Sequence, residues 1–296
     1  YFYAMSLMGL LGIVLFFCRF LMTRERYSPR NDTSGSMLTD LKLLAKNSQW
    51  RIVFVFNILL LTAVVTRGSA TMYYVNYVLL RPELVFAFIV SGMVASLSGA
   101  LLSERLLGKF DRVRAYQWTI MTFVIFGALI FFIPPSQVWL IFGLNIVFSF
   151  IQNLTTPLQW TMFSDVVDYE EHRSGRRLDG LVFSTALFAI KFGLALGGAV
   201  VGWVLGMVDY APGQVTQAPH VLSTINALFT LIPCVLFLCM VALLSIYKLN
   251  SRLVDSIARE LAGKRDVRPD AGKLSPATHS ATVSYTHLRA HETAAN

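Results

Sequence analysis

Charge is scarce in this 296-residue chain: 14% of its residues are Asp, Glu, Lys or Arg, against 55% hydrophobic, and its mean hydropathy is +0.58. A soluble domain carries nearer a quarter of its residues charged, so a soluble globular fold is excluded and a membrane protein is expected. Cysteine is also rare. Cys18, Cys234 and Cys239 lie singly inside apolar runs with no C-x-x-C spacing, which leaves neither a disulfide framework nor a metal site and makes them small hydrophobes. Ser/His/Asp, Cys/His and H-E-x-x-H arrangements are missing at membrane depth, which argues against a membrane enzyme and its cofactors. The net charge of +8 is scattered among short loops and makes no continuous basic face, so a nucleic-acid partner is not expected. A starting Met and a basic leader are absent too: the sequence opens at Tyr1 within an apolar run, which reads as a cut gene. Residues 283–293 look like one frame of a transposase-type sequencing adapter, so His287 and His291 make no metal site despite their i, i+4 spacing.

Long apolar runs, by contrast, are plentiful. Seven stand at 1–22, 51–80, 83–106, 116–133, 138–163, 181–208 and 221–247, each close to or above the roughly 20 residues that span a bilayer. Between the first two lies a polar stretch, and within it residues 37–44 have helical apolar spacing that predicts a helix along the membrane surface. Arg24, Arg26, Arg30, Lys42 and Lys46 fill the first connection, Arg105, Lys109, Arg112 and Arg114 the third, and Arg173, Arg176 and Arg177 the fifth. The loops between these hold almost no basic residue, so the basic loops and the tail with Lys248 and Arg252 are predicted to be cytoplasmic. The expected architecture is all-α: 1–22 as the last helix of an amino-terminal bundle, 23–50 as a central cytoplasmic loop, 51–249 as a carboxy-terminal six-helix bundle, 250–282 as a cytoplasmic tail, and 283–296 as the artefact. One helix, a long connection and six more helices is the pattern of a two-half transporter entered near its middle.

Polar groups inside these runs are the candidate site. In the second run, Arg67-Gly68-Ser69 and then the tyrosines Tyr73, Tyr74 and Tyr77 with Asn76 interrupt the apolar sequence. A Gly followed by Ser and Thr is a plausible weak point, and irregular backbone at membrane depth is tolerated where it lines a cavity; an interfacial aromatic belt is the alternative. Arg67 is expected to face the bundle interior, because a charge well inside a segment is costly. Gln152 and Asn153 in the fifth run could serve a substrate or tie helices together, and Trp160 sits where an aromatic belt is the default. Lys191, about ten residues into the sixth run, comes near the bilayer centre at about 1.5 Å per residue and needs a carboxylate, a carbonyl or a wet cavity. The glycines after it are spaced for close helix packing. Finally, 164–180 is the densest charged stretch. Asp165 and Asp168, three apart, share a helix face, and Arg173, Arg176 and Arg177 can reach back to them or across to another helix.

The string Asp165-Val-Val-Asp168-Tyr169, then Glu171, Gly175, Arg177 and Gly180, followed by Phe183-Ser184 and Lys191, resembles the signature of the glycoside–pentoside–hexuronide:cation symporters, the melibiose-carrier-like branch of the major facilitator superfamily. Arg67-Gly68, Tyr73-Tyr74, Tyr77, the run from Gly206 to Tyr210 and the ending Tyr247-Lys248-Leu249-Asn250 add weaker matches, and the resemblance extends from Tyr1 to about Arg265. It implies uptake of a sugar or glycoside with Na⁺, Li⁺ or H⁺ by alternating access in a bacterial inner membrane, with no cofactor beyond the coupling cation. It further implies a cytoplasmic gate containing Asp165, Asp168 and Arg177, and a sugar and cation region that includes Lys191. Glu170 stands where members commonly have Gly, which bears on the geometry of the turn, and Asp179 where Glu is usual. The family's cation-binding acidic residues belong to the half that precedes this one. Alternative readings are a relative on the same fold that moves another amphiphile or drug, and a membrane sensor that binds a sugar without moving it.

Overall fold

The computed structural model describes residues 2–22, 37–107, 110–214 and 216–266. Arg24, Arg26, Arg30, Lys109 and the stretch with His287 and His291 fall outside them. All regular structure among the described residues is helical, and seven helices or helix pairs are long and apolar enough to cross a membrane, the number read from the sequence.

Helix α1 (Phe2–Met22) is apolar on all sides and belongs to a unit of its own, apart from the chain after Asp40. The short helix α2 (Met37–Ala45) covers the stretch expected to be helical at 37–44. Helix α3 (Ser48–Tyr73) starts where the Asn47 side chain accepts from the backbone N–H groups of Gln49 and Trp50, which removes two of the orphan donors of a helix start. The expected weak point at Gly68 is not where the backbone changes. The α-helix passes through Gly68 and widens into a π-turn at Tyr74–Val78, several residues later. A single Gly costs about 1 kcal/mol in a helix, too little to break one whose backbone has no water to turn to. Pro82 ends the segment: it has no N–H and restricts the residue before it, so the chain leaves the helix through Leu80 at φ +54°.

Helices α4 (Val85–Leu107) and α5 (Arg112–Phe132) follow, the second capped by Asp111. The fifth apolar run is two helices, α6 (Val138–Leu154) and α7 (Thr156–Ser174), because Pro157 cannot donate to the carbonyl four residues back. The charged stretch is mostly helix as well. Only 175–178 turns, and it turns at Gly175, whose φ of +70° is left-handed. Glu170, expected to bear on the geometry of the turn, lies a full turn inside α7, and Gly175 makes the turn instead. After α8 (Asp179–Met207), the last run is again split, into α9 (Pro219–Phe229) and α10 (Leu231–Ser245). An amphipathic α11 (Ser251–Asp266) closes the described chain.

Helix α3 is the hub, packed on α8, α9 and α10, while α4 pairs with α6 and α5 with α10. The α3–α8 seam runs along Val182, Ala186, Ala189, Gly193, Gly197, Val201 and Leu205, a stripe at helical spacing. At Gly193 an added Cβ would stand 2.8 Å from the Ile58 carbonyl, and at Gly197 2.7 Å from Val65 Cβ. Close approach lets the Thr62 and Thr66 hydroxyls donate to the carbonyls of Gly193 and Gly197, each at 3.3 Å. The expected glycine packing therefore holds for these two, whereas a Cβ added at Gly198, Gly202 or Gly206 would meet nothing within 4 Å. Gly197→Val should lower thermal stability in detergent by about 1–3 kcal/mol, the usual cost of overpacking. Gly202→Val, on the open face, should leave the melting temperature within error.

Candidate functional site

At the basic end of the six-segment bundle, α7 and the turn after it build a lattice of charge. Arg177 donates to Glu171 at 2.7 Å and to Asp168 at 3.1 Å, and its Nε meets Asp179 at 2.7 Å. Partial burial opposes its charge, but the bonds to Glu171 and Asp179 outweigh that and hold the guanidinium above its ordinary value. Asp165, one turn before Asp168, is joined instead to Arg112 at the start of α5, at 3.1 Å. The two aspartates expected to share a face therefore serve different partners: Asp168 closes the local turn, and Asp165 ties α7 to α5.

A third group has no motif to mark it in the sequence. The Glu170 side chain is fully buried, accepts from Asn47 Nδ2 at 2.6 Å and pairs with Arg173 at 3.0 Å. Arg173 also donates to the Leu43 carbonyl at 3.0 Å, so Glu170 and Arg173 together fasten α7 to the junction of α2 and α3. Asn47 has two tasks: its oxygen caps α3 and its nitrogen donates a hydrogen bond to a buried carboxylate. Nothing in the local sequence around Asn47 signals a partner 123 positions away. On the same end, Asp111 accepts from the backbone N–H groups of Arg114 and Ser251, which caps α5 and receives the start of α11. Burial alone would raise its carboxyl, yet these bonds hold it below the usual range. Helix α11 rests on α7, with His172 Nδ1 3.5 Å from Glu260.

Deeper in the bundle, Arg67 does face the interior, as expected. It is 5% exposed, donates to the Phe229 carbonyl at 2.8 Å and to Asn145 Oδ1 at 3.1 Å, and lies between the rings of Phe148 and Phe229 at 3.9 and 4.0 Å. Helix-tying amides exist, but at other positions than Gln152 and Asn153: the Gln159 amide donates to the buried Asn57, linking α7 to α3. Asn153 accepts from Thr156 beside the α6–α7 break, and Gln152 is half-buried.

Tyr74 is buried and stacks on Phe229 at 4.3 Å, while Tyr73, Asn76 and Tyr77 are half-buried at the end opposite the charge lattice. Tyr210, from the loop after α8, donates to the Tyr77 hydroxyl at 2.9 Å and meets both Tyr73 and Tyr77 edge to face. Burial and then the bond to Tyr77 push the Tyr210 phenol up. Trp160 is exposed, and Tyr169 is half-buried against the core. Lys191 is exposed on the face of α8 turned away from α3, roughly two turns from Ser184, and has no ion-pair partner among the described residues. Asp168, Glu171 and Asp179 are thus gathered around Arg177, whereas Asp165 turns to Arg112 of α5, and Lys191, the tyrosines and the fifth-run amides take no part in this cluster. Asn47→Asp keeps the α3 cap but sets a second carboxylate against Glu170. It should destabilise the protein by about 3 kcal/mol, the scale of an uncompensated buried charge, measured by thermal unfolding, while Asn47→Ser costs less.

A family described as MFS/sugar transport protein matches residues 1–251. The chain is 50% identical over 271 residues to YagG of Escherichia coli (strain K12), named as a candidate glycoside/cation symporter, covering 92% of this chain and 59% of that protein. It is 36% identical to the inner membrane symporter YicJ of the same strain, over 86% of this chain and 55% of that one, and 25% identical to a glucuronide carrier protein homolog there, over 88% and 57%. The chain thus spans somewhat more than half the length of these curated relatives. An all-helical bundle of membrane-length segments, the charge lattice after α7 and these likenesses agree: the chain belongs to the MFS/sugar transport family, in its glycoside–pentoside–hexuronide:cation symporter branch.

Proposed function

We propose that the full-length protein is a secondary transporter that carries a sugar or glycoside together with Na⁺ or H⁺ across a bacterial inner membrane by alternating access. The observation that carries this reading is the lattice in which one guanidinium, Arg177, holds Asp168, Glu171 and Asp179 at the basic end. With Arg177 40% exposed, each such pair is worth about 0–1 kcal/mol. A cluster of weak bonds at a helix turn can break and re-form within a transport cycle, and it biases the balance of states only by as much as it differs between them. In this reading Asp165, Asp168, Tyr169, Glu171 and Arg177 form the cytoplasmic gate, with Asp165 carrying the motion to α5 through Arg112.

Sugar and coupling groups are sought on surfaces that a ligand can reach. Lys191 and Ser184 lie on the open face of α8, and Trp160, Gln152, Asn153, Tyr73, Asn76 and Tyr77 offer flat rings and amides of the kind that bind sugars. Arg67 and Tyr74 support these groups from the packed interior. The relatives' names, a glycoside/cation symporter and a glucuronide carrier homolog, support a glycoside as cargo.

The test is uphill uptake of labelled glycosides by cells making the full-length parent, under imposed Na⁺ or H⁺ gradients. Lys191→Gln should reduce concentrative uptake by roughly tenfold or more, the scale of losing one charged contact, with unchanged amounts of protein in the membrane. Arg177→Gln should impair uptake while leaving sugar binding measurable. Normal uptake in both variants overturns the assignment. Binding without flux under any gradient points to a sensor instead.

A further inference from the structure

The last membrane segment breaks at Thr230, between α9 and α10, and the cause is three residues further on. In an unbroken helix the Phe229 carbonyl would accept from the N–H of residue 233, but that residue is Pro233, which has none. The ladder is intact on either side: Thr230 N–H donates to the Asn226 carbonyl at 3.0 Å, and Cys234 N–H to the Thr230 carbonyl at 3.3 Å. Phe229 is fully buried, so water cannot serve its carbonyl, and an unmet carbonyl at membrane depth is costly. The group that reaches it is Arg67 Nη1, at 2.8 Å, coming from α3.

We propose that Arg67 is the replacement donor for the N–H that Pro233 removes, a pin that fixes the angle between α9 and α10. Its placement is over-determined. Asn145 of α6 holds the second nitrogen at 3.1 Å, and Phe148 and Phe229 cover the two faces of the guanidinium, so the fork has one orientation. Through Phe229 the pin reaches Tyr74, stacked at 4.3 Å, which opens the π-turn carrying Asn76 and Tyr77. Arg67 is therefore a positioning residue: it sets the tilt of α9 against the π-turn, and its charge is spent on protein partners. The pin depends on this contact alone and is independent of what the protein carries.

The structure supplies its own reporter. Cys234 follows Pro233, is 6% exposed, and its thiol lies 3.6 Å from the Val124 carbonyl, whereas Cys18 and Cys239 are exposed and can be replaced by Ala. In that background, maleimide labelling of Cys234 in the purified chain reads the opening of the break. Arg67→Met should speed labelling about tenfold or more, the loss of one charge-assisted hydrogen bond. Arg67→Lys, which keeps one donor, should fall between. Adding Pro233→Ala to Arg67→Met restores the missing N–H and should return Cys234 to its slow rate. The same Pro233→Ala should give no protection to Gly197→Val, where the lesion is elsewhere. Unchanged labelling in Arg67→Met, or a double variant as reactive as Arg67→Met, overturns the proposal. Should Arg67→Met not fold, recovery of folded protein in the double variant supports it, and failure of both to fold overturns it.

Discussion

A carbonyl that loses its helical partner inside a membrane has no water to turn to, and this constraint organises the bundle. Two of its six segments are broken near a proline, and at each break a side chain from another helix supplies a donor. Ser103 of α4 donates to the Leu154 carbonyl at 2.5 Å, next to the Asn153 carbonyl whose helical donor Pro157 removes, and Arg67 of α3 serves the Phe229 carbonyl that Pro233 leaves unserved. Each irregularity thereby becomes a tie between helices. Along the regular stretches the opposite solution applies: glycines at Gly193 and Gly197 bring backbones so close that threonine hydroxyls reach carbonyls across the seam.

The two ends of the bundle are built by different chemistry. At the basic end, charge is abundant and graded by burial, from the fully enclosed Glu170 with Asn47 and Arg173 to the half-exposed fan around Arg177. The enclosed group is costly to disturb and suits a fixed joint between α7 and the α2–α3 junction. The exposed fan is cheap to rearrange and suits a moving part. At the opposite end, among the described residues, a trio of tyrosines from the π-turn and the α8 loop takes the place of such a lattice and meets through rings and hydroxyls. The π-turn at Tyr74–Val78 carries Tyr77, whose hydroxyl accepts from Tyr210.

Much of this is legible in the one-dimensional pattern. Apolar runs of bilayer length mark the seven segments, and the density of charge between Ser164 and Gly180 marks the ion-pair cluster, because both signals reside in contiguous residues. The burial of Arg67 follows from the cost of a charge at depth. Less legible are positions whose meaning depends on a distant stretch of chain. Gly68 reads as the weak point, yet the helix changes at Tyr74, the residue whose ring stacks on Phe229. Gln152 and Asn153 read either as substrate groups or as helix-tying amides, and the amide that ties helices here is Gln159, which meets Asn57.

What the sequence determined by itself was therefore composition, segment number, the location of the densest charge cluster and the family, since each depends on local hydrophobicity or on residues close in the chain. Tertiary structure alone decided partners: that Asp165 goes to Arg112 and Asp168 to Arg177, that Asn47 meets Glu170, and that Arg67 completes a helix broken 162 positions away. The physical reason is that hydrogen bonds and ion pairs are made at about 3 Å, and only the packing of helices brings such distant residues within that range.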